Sequence, residues 1–403
     1  MKKKITILIL LTSLISLCLY PCTTAVISGK ASSDGRSYIW KLRDTGDRDN
    51  IYRYFDDGKY SYVGLMNSND LEGEHVWGGS NSAGFAIMNS ASYNVNVGDT
   101  TSLIDMEGVF MKLALQTCAT LQDLEKLLDV YPKPRGLAAN FGVIDAHGGA
   151  AYYEVDNQTW VKFDATHDPK GYIIRSNYSE SGALDKGYGF VRRDIAEKIF
   201  ADSKNADELN YQTIIQKFTR NLYHPIFGLD YRELYETNNA ESDFIMSTDL
   251  ITRYSSASSI IVQGVKEGES PGMSTIWGQV GFPRTCIAMP LWVGGGDNIP
   301  QILQYNEELK NSLLNHLAKE WKKAAYPIKH SERNNYLYVP ALINVDGTGF
   351  TQLIEPVEQE IFNVTEEKLN SWRNQTPSEL EITAFYQMLN QKVKEFYSEY
   401  SGI

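Results

Sequence analysis

The run Tyr20-Pro21-Cys22-Thr23-Thr24-Ala25-Val26-Ile27 joins two kinds of sequence at one residue. Before it, Lys2, Lys3 and Lys4 precede an apolar stretch from Ile5 to Leu19, the pattern of a secretory leader. That stretch is too short for a membrane span, and no other segment is long and apolar enough to be one. After it, β-branched residues begin at once, so the folded part opens on a strand. A cysteine at this junction constrains fold and chemistry together. Exposed as a new N-terminus, it would carry a nucleophilic thiol and an α-amine that titrates near neutrality. One cleavage would turn an inert precursor into an amidase.

Charge and cysteine usage narrow the field. The formal net charge is −12, and removing the three leader lysines takes it to −15. That argues against nucleic acid and against attraction to anionic membranes. Of four cysteines, Cys18 goes with the leader. Cys118 ends an apolar helical stretch and Cys286 follows Pro283 in a strand-like run, so both read as buried small hydrophobes. Cys22 is left free. The six histidines show no metal-ligand spacing, and Gly294-Gly295-Gly296 lacks the lysine of a phosphate loop, so no cofactor or metal is expected.

Thr23–Gly29 and Ser37–Leu42 read as strands around a turn at Ser32-Ser33-Asp34-Gly35. Gly79–Gly84 reads as a turn leading into Phe85–Asn89. Met106–Val130 reads as two helices with Thr120 capping the second. Phe141–Asp145 and Ala150–Val155 form a hairpin around Gly148-Gly149, Tyr172–Asn177 is a short strand, and Asp185–Tyr223 is mostly helical. Beyond Pro300 the pattern predicts an amphipathic helix over Leu303–Ala325 and an extended stretch over Tyr336–Leu353. A helical run follows over Thr365–Tyr400, capped at Thr365 and interrupted at Pro377. With the turn at Ser32–Gly35, the antiparallel partner of Cys22 falls at Arg43 or Asp44.

These segments carry a resemblance. Cys22-Thr23-Thr24, Gly29 to Gly35 and Lys41-Leu42-Arg43-Asp44 are followed by Gly79-Ser80-Asn81-Ser82-Ala83-Gly84-Phe85 with Asn89. Next come Cys118-Ala119-Thr120, Asn140 to Asp145 with Glu154, and Ser176-Asn177-Tyr178. In this order they resemble the N-terminal-nucleophile cysteine hydrolases. That superfamily includes choloylglycine hydrolases, penicillin V acylases, isopenicillin N acyltransferase-like proteins and cysteine dipeptidases. The resemblance implies an α+β, four-layer αββα sandwich over residues 22–299. A signal peptide and short propeptide (1–21) would precede it, and a helix-rich extension (300–403) would be packed on its core.

It also implies roles. Cys22 would be the nucleophile and its α-amine the base, with Asp44 positioning that amine. Asn89 and Asn177 would flank the tetrahedral intermediate, one as oxyanion donor and one holding the amine. Lys41 and Arg43 would meet the substrate. Two departures weaken a bile-salt assignment. Lys41 stands where those enzymes have arginine, and Ser259 follows Ser255-Ser256-Ala257-Ser258 where they have another, with Arg253 nearby but out of register. The expected partner is a small-molecule amide, with oligomeric state open, and the expected location is periplasmic or extracellular. Acyl transfer through the same intermediate stays open. So does a non-catalytic lipoprotein anchored through Cys22, although Pro21 stands where a lipid-attachment pattern wants a small residue.

Overall fold

A computed structural model describes residues 22–329 and 333–401. The expected signal peptide and the Leu19-Tyr20-Pro21 propeptide lie outside them. Two antiparallel sheets form the centre. In the six-stranded sheet, β1 (Thr23–Ile27) lies between β2 (Tyr38–Asp44) and β10 (Tyr172–Arg175). The sheet continues from β2 through strands Ser256–Gln263, Thr275–Val280 and Met289–Leu291. The seven-stranded sheet runs in chain order: β3 (Asn50–Phe55), β4 (Tyr62–Asn67), β5 (Gly78–Asn81), β6 (Ala86–Ala91), β7 (Ala139–Ile144), β8 (Ala150–Val155) and β9 (Trp160–Asp164).

Every residue of β1 and β2 is buried, Thr23, Thr24, Lys41, Arg43 and Asp44 included, because both faces of the sheet are covered. On the inner side β2 packs on β6 and β1 on β7. There the sheets come close enough that a Cβ on Gly142 would lie 2.2 Å from Met88 Cε and 2.8 Å from Val26 Cγ2. Helices α1 (Glu107–Thr117) and α2 (Leu121–Val130) cover the outer face of the seven-stranded sheet, where Phe110, Leu115 and Leu124 join Ile87, Phe141 and Tyr153. Outside the other sheet lie α3 (Phe190–Asn205) and the helices Phe350–Trp372 and Glu379–Ser401. Phe200 packs on Trp40, and Phe362 meets Trp277 edge-on. The architecture is the α+β, αββα arrangement. Thr120 caps α2 with a capping box closed by Asp123.

Several local expectations change. Gly78–Asn81 is a strand inside the sheet, and only Asn81–Phe85 turns. The strand is built of small residues because a Cβ on Gly79 would sit 2.3 Å from Val63 O. Asn81 Oδ1 accepts from the backbone of Ala83 and Phe85 and closes the turn, with Gly84 at φ +77°. The helix expected from Leu303 begins at Leu313, capped by Ser312. Of the stretch expected to be extended, only Tyr336–Tyr338 is a strand, and the following helix already starts at Phe350. Thr365 is therefore mid-helix and fully buried. It lies on the stripe Ile354, Glu358, Ile361, Phe362, Leu369 that faces the sheet, and that packing overrides its capping preference. Within this interface Arg220 and Glu358 form a fully buried bidentate pair at 2.8 and 2.9 Å, and Glu358 also accepts from Ala288 N.

Candidate active site

Cys22 immediately precedes β1. The register Thr23↔Leu42 carries on to place it opposite Arg43. The residue is buried, and its Sγ lies 3.9 Å from the backbone oxygen of Asp44. Its own carbonyl oxygen is held by Arg192 of α3: Nη1 donates to Cys22 O at 2.7 Å and to Thr23 Oγ1 at 2.7 Å, while Nη2 reaches Asn177 Oδ1 at 3.2 Å. Gly189 makes room for this, because a Cβ there would lie 2.2 Å from Arg192 Nη2. Burial pushes the Arg192 guanidinium down to about 9, with Arg253 adding repulsion, so it remains charged at neutral pH.

The Asp44 carboxylate is fully buried and both oxygens are engaged. Arg253 Nη2 donates to Oδ2 at 2.6 Å and Ser256 Oγ donates to Oδ1 at 2.6 Å. A bulge between Ser256 and Ser258 brings the serine opposite Asp44. Arg253, out of register in the sequence, thus reaches the site from the turn before that strand. Among the described residues the partners of the Asp44 carboxylate are Arg253 and Ser256, and the Cys22 nitrogen is in this sequence a peptide nitrogen joined to Pro21.

Lys41 and Asn89 bridge the two sheets. Lys41 Nζ donates to Asn89 Oδ1 at 2.7 Å and to Trp77 O at 2.8 Å. As an ammonium Lys41 only donates, and in that form it orients the amide: the oxygen of Asn89 faces Lys41 and the NH₂ faces away. Among the described residues the hydrogen bond of this side chain is the one its oxygen accepts from Lys41. Burial pushes the Lys41 ammonium down to about 7, with the nearby Cys22 thiol opposing. Arg43 donates to Asn50 Oδ1 at 3.1 Å and lies 4.9 Å over the Trp77 ring. Burial lowers it to about 10, again with Cys22 opposing.

Asn177 is fully buried. Its amide nitrogen donates to Ala91 O at 2.8 Å and its oxygen accepts from Arg192, so it meets Cys22 through Arg192. Asn140 anchors the loop that carries it, donating to Ser176 O and Tyr178 O. The buried Arg175–Glu154 pair at 2.8 Å ties β10 to β8 beneath. The Asn177-Tyr178-Ser179 sequon is enclosed in this packing. The structure thus gathers Cys22, Lys41, Asp44 and Asn89 at the start of β1, turns Arg43 toward Trp77, and sets Asn177 behind Arg192. Among the described residues no group of three His, Cys, Asp or Glu is placed to hold a metal.

Arg192, Trp77 and Tyr93 escaped the sequence reading, and Arg253 was noted there without a role. Arg192 had a signal: it opens the stripe Arg192, Ile195, Ala196, Phe200, Ser203, a cation on the buried face of α3. Tyr93 packs edge-on to Tyr188 at 5.6 Å, and burial together with the Cys22 thiol raises its phenol well above the usual range.

Two measurements check this electrostatic picture. Iodoacetamide should label Cys22 faster than Cys118, which burial pushes up to about 11, and faster than Cys286, which burial raises further. Equal labelling of all three in the folded protein would contradict it. Lys41 has a folded pKa below its unfolded value, so between about pH 7 and 10.5 the unfolded chain binds the proton and the native one does not. Stability contributed by this group therefore rises with pH in that window, by at most about 1.4 kcal/mol per unit. Lys41→Met should flatten the rise in urea midpoints; an unchanged slope would show that Lys41 is not desolvated.

No protein-family model matches the chain, and no curated protein matches it in sequence. Solved structures do. A mutant of conjugated bile acid hydrolase from Clostridium perfringens is 12% identical over 67% of this chain and 92% of its own, with a TM-score of 0.40. A Caenorhabditis elegans ortholog of N-acylethanolamine-hydrolyzing acid amidase is 12% identical over 62% of this chain and 94% of its own, at 0.36. Penicillin V acylase from Agrobacterium tumefaciens is 13% identical over 67% of this chain and 85% of its own, at 0.35.

Proposed function

We propose that this chain is an exported amide hydrolase with Cys22 as its nucleophile. The observation that carries the reading is the convergence at the start of β1. The Cys22 carbonyl is clamped by a buried arginine, a fixed carboxylate lies one residue past its cross-strand partner, and a lysine-oriented amide turns its NH₂ away from that lysine. Maturation starts with the Cys22 thiol attacking the Pro21 carbonyl. The acyl group moves from nitrogen to sulfur, which breaks the Pro21–Cys22 amide and frees the α-amine, and water then hydrolyses the thioester, releasing the propeptide acid and the thiol. In turnover that amine takes the thiol proton and the thiolate adds to the substrate carbonyl. The oxyanion is met by Asn89 Nδ2, while Lys41 keeps that amide from rotating. The ammonium returns its proton to the leaving amine, acyl-Cys22 remains, and amine-activated water releases the acid. Arg192 fixes the Cys22 backbone between thiol and amine by holding its carbonyl oxygen. Asp44, held by Arg253 and Ser256, supplies negative charge for the ammonium.

The substrate class is a linear, non-standard amide: an N-acyl amino acid, an acylated amine, a bile-salt-like conjugate or a dipeptide. Transfer to a second amine uses the same thioester. The location follows from the leader: periplasm, cell surface or medium. A panel of these amides against the mature protein, with N-terminal mass spectrometry, tests the reading; a diacylglyceryl Cys22 without turnover would replace it with a surface anchor. The two asparagines should separate. Asn89→Ala should cut kcat by about 10²–10³ with less change in KM, because its donor acts on developing charge. Asn177→Ala acts through Arg192 and should lower stability as well as rate. Equal, purely kinetic losses would reverse that assignment.

A further inference from the structure

A cavity of about 450 Å³ opens between Arg48, Tyr254 and the last turn of the helix Leu313–Ala325. Five of its lining residues are cationic, Arg48, Lys319, Lys322, Lys323 and Lys329, and none is acidic, in a chain of net charge −12. Two of the lysines have carboxylate partners: Lys319 pairs with Asp49 and Lys323 with Glu320. Arg48 has none among the described residues. Its guanidinium lies 4.2 Å from the centre of the Tyr254 ring, and its Nε is buried without a hydrogen-bond partner. Lys322 is also buried, 4.7 Å from the same ring centre, and donates to Tyr254 O. That bond draws its ammonium to the Tyr254 turn, so binding the terminal carbonyls of its own helix does not account for its position.

Burial pushes the Lys322 ammonium well below its usual value and Arg48 adds repulsion, while a buried guanidinium N–H without an acceptor is costly. An acceptor carrying negative charge would relieve both. Among the acidic groups nearby, Asp44 is committed to Arg253 and Ser256, Asp49 to Lys319, and Glu320 to Lys323. We propose that this cavity binds an oxyanion, a carboxylate or phosphate-type group, on Arg48 and Lys322 with Tyr254 between them. Because Tyr254 follows Arg253, the residue that holds Asp44, the anion sits beside the nucleophile's surroundings. It has two sources: a free small anion, or the carboxylate of the amide substrate itself. Only the second rests on the amidase reading.

The test uses Cys22→Ala protein produced with residue 22 as its first residue, so neither turnover nor a retained propeptide intervenes. Inorganic phosphate is titrated by calorimetry at constant ionic strength, with chloride as the control. Saturable binding is expected, and Arg48→Gln should weaken it about tenfold or more, the effect of one lost charge-assisted hydrogen bond. The Arg48 side chain makes no hydrogen bond to the described fold, so the thermal midpoint of Arg48→Gln should stay near that of its parent. Lys329→Gln, exposed at the rim, should cost less. Phosphate binding no better than chloride, or equal affinity in Arg48→Gln, overturns the site. Hippurate then distinguishes the sources. If it displaces phosphate and binds at least tenfold tighter than acetate, while hippuramide does not displace it, the carboxylate is the substrate's. If it binds no tighter than acetate, the site serves a free anion.

Discussion

Cys22→Ala is expected to abolish amide turnover, with a loss of about 10⁴-fold or more, because nothing else in the site can form the acyl intermediate. The same variant should keep Leu19-Tyr20-Pro21 attached after the leader is removed, since the thiol that opens the Pro21–Cys22 bond is gone. Stability should change by only about 1 kcal/mol, as the thiol is small and its 3.9 Å contact with Asp44 O is weak. Intact-mass analysis, a rate on the best amide of the panel and a thermal midpoint cover all three expectations. A variant that matures to residue 22, or turns over at the wild-type rate, would remove Cys22 from both steps.

Glu358→Gln should be the most damaging substitution for stability, costing about 3–5 kcal/mol. Arg220 and Glu358 are both fully buried, and removing one charge strands the other where water cannot reach it. Replacing both, as Arg220→Met with Glu358→Leu, should recover most of the loss. Some remains, because Arg220 also donates to the backbone oxygens of Pro283 and Cys286. Urea unfolding of the two single variants and the double variant measures the coupling. If Glu358→Gln costs under 1 kcal/mol, the helix Phe350–Trp372 is not electrostatically tied to the sheet. The apolar contacts point the same way: Trp277, Phe362, Tyr386 and Trp292 belong to one cluster that runs from the six-stranded sheet into both C-terminal helices.

Much of the six-stranded sheet was legible in the chain because its signals are local. The connection from Ile27 to Tyr38, which holds the turn at Ser32–Gly35, joins the strands in the register that puts Cys22 opposite Arg43, and Thr120 with Asp123 writes the start of α2. Non-local packing hid the rest. Gly78–Asn81 looks like a turn until neighbouring strands leave no room for larger side chains. Thr365 looks like a cap until the sheet claims the stripe it sits on.

The candidate site divides the same way. Sequence alone determined which residue can carry both thiol and amine, and that the second strand ends beside it in Lys41-Leu42-Arg43-Asp44, because a hairpin's register follows from its turn. Tertiary structure alone decided which groups hold them. Arg192 comes from a helix 170 residues away in the chain, Arg253 from a turn 209 residues beyond Asp44, and the lysine that orients Asn89 from the opposite sheet. A charged side chain far along the sequence leaves no periodic trace of its target. Its partner is chosen when burial removes water and an unpaired charge becomes too costly to leave alone.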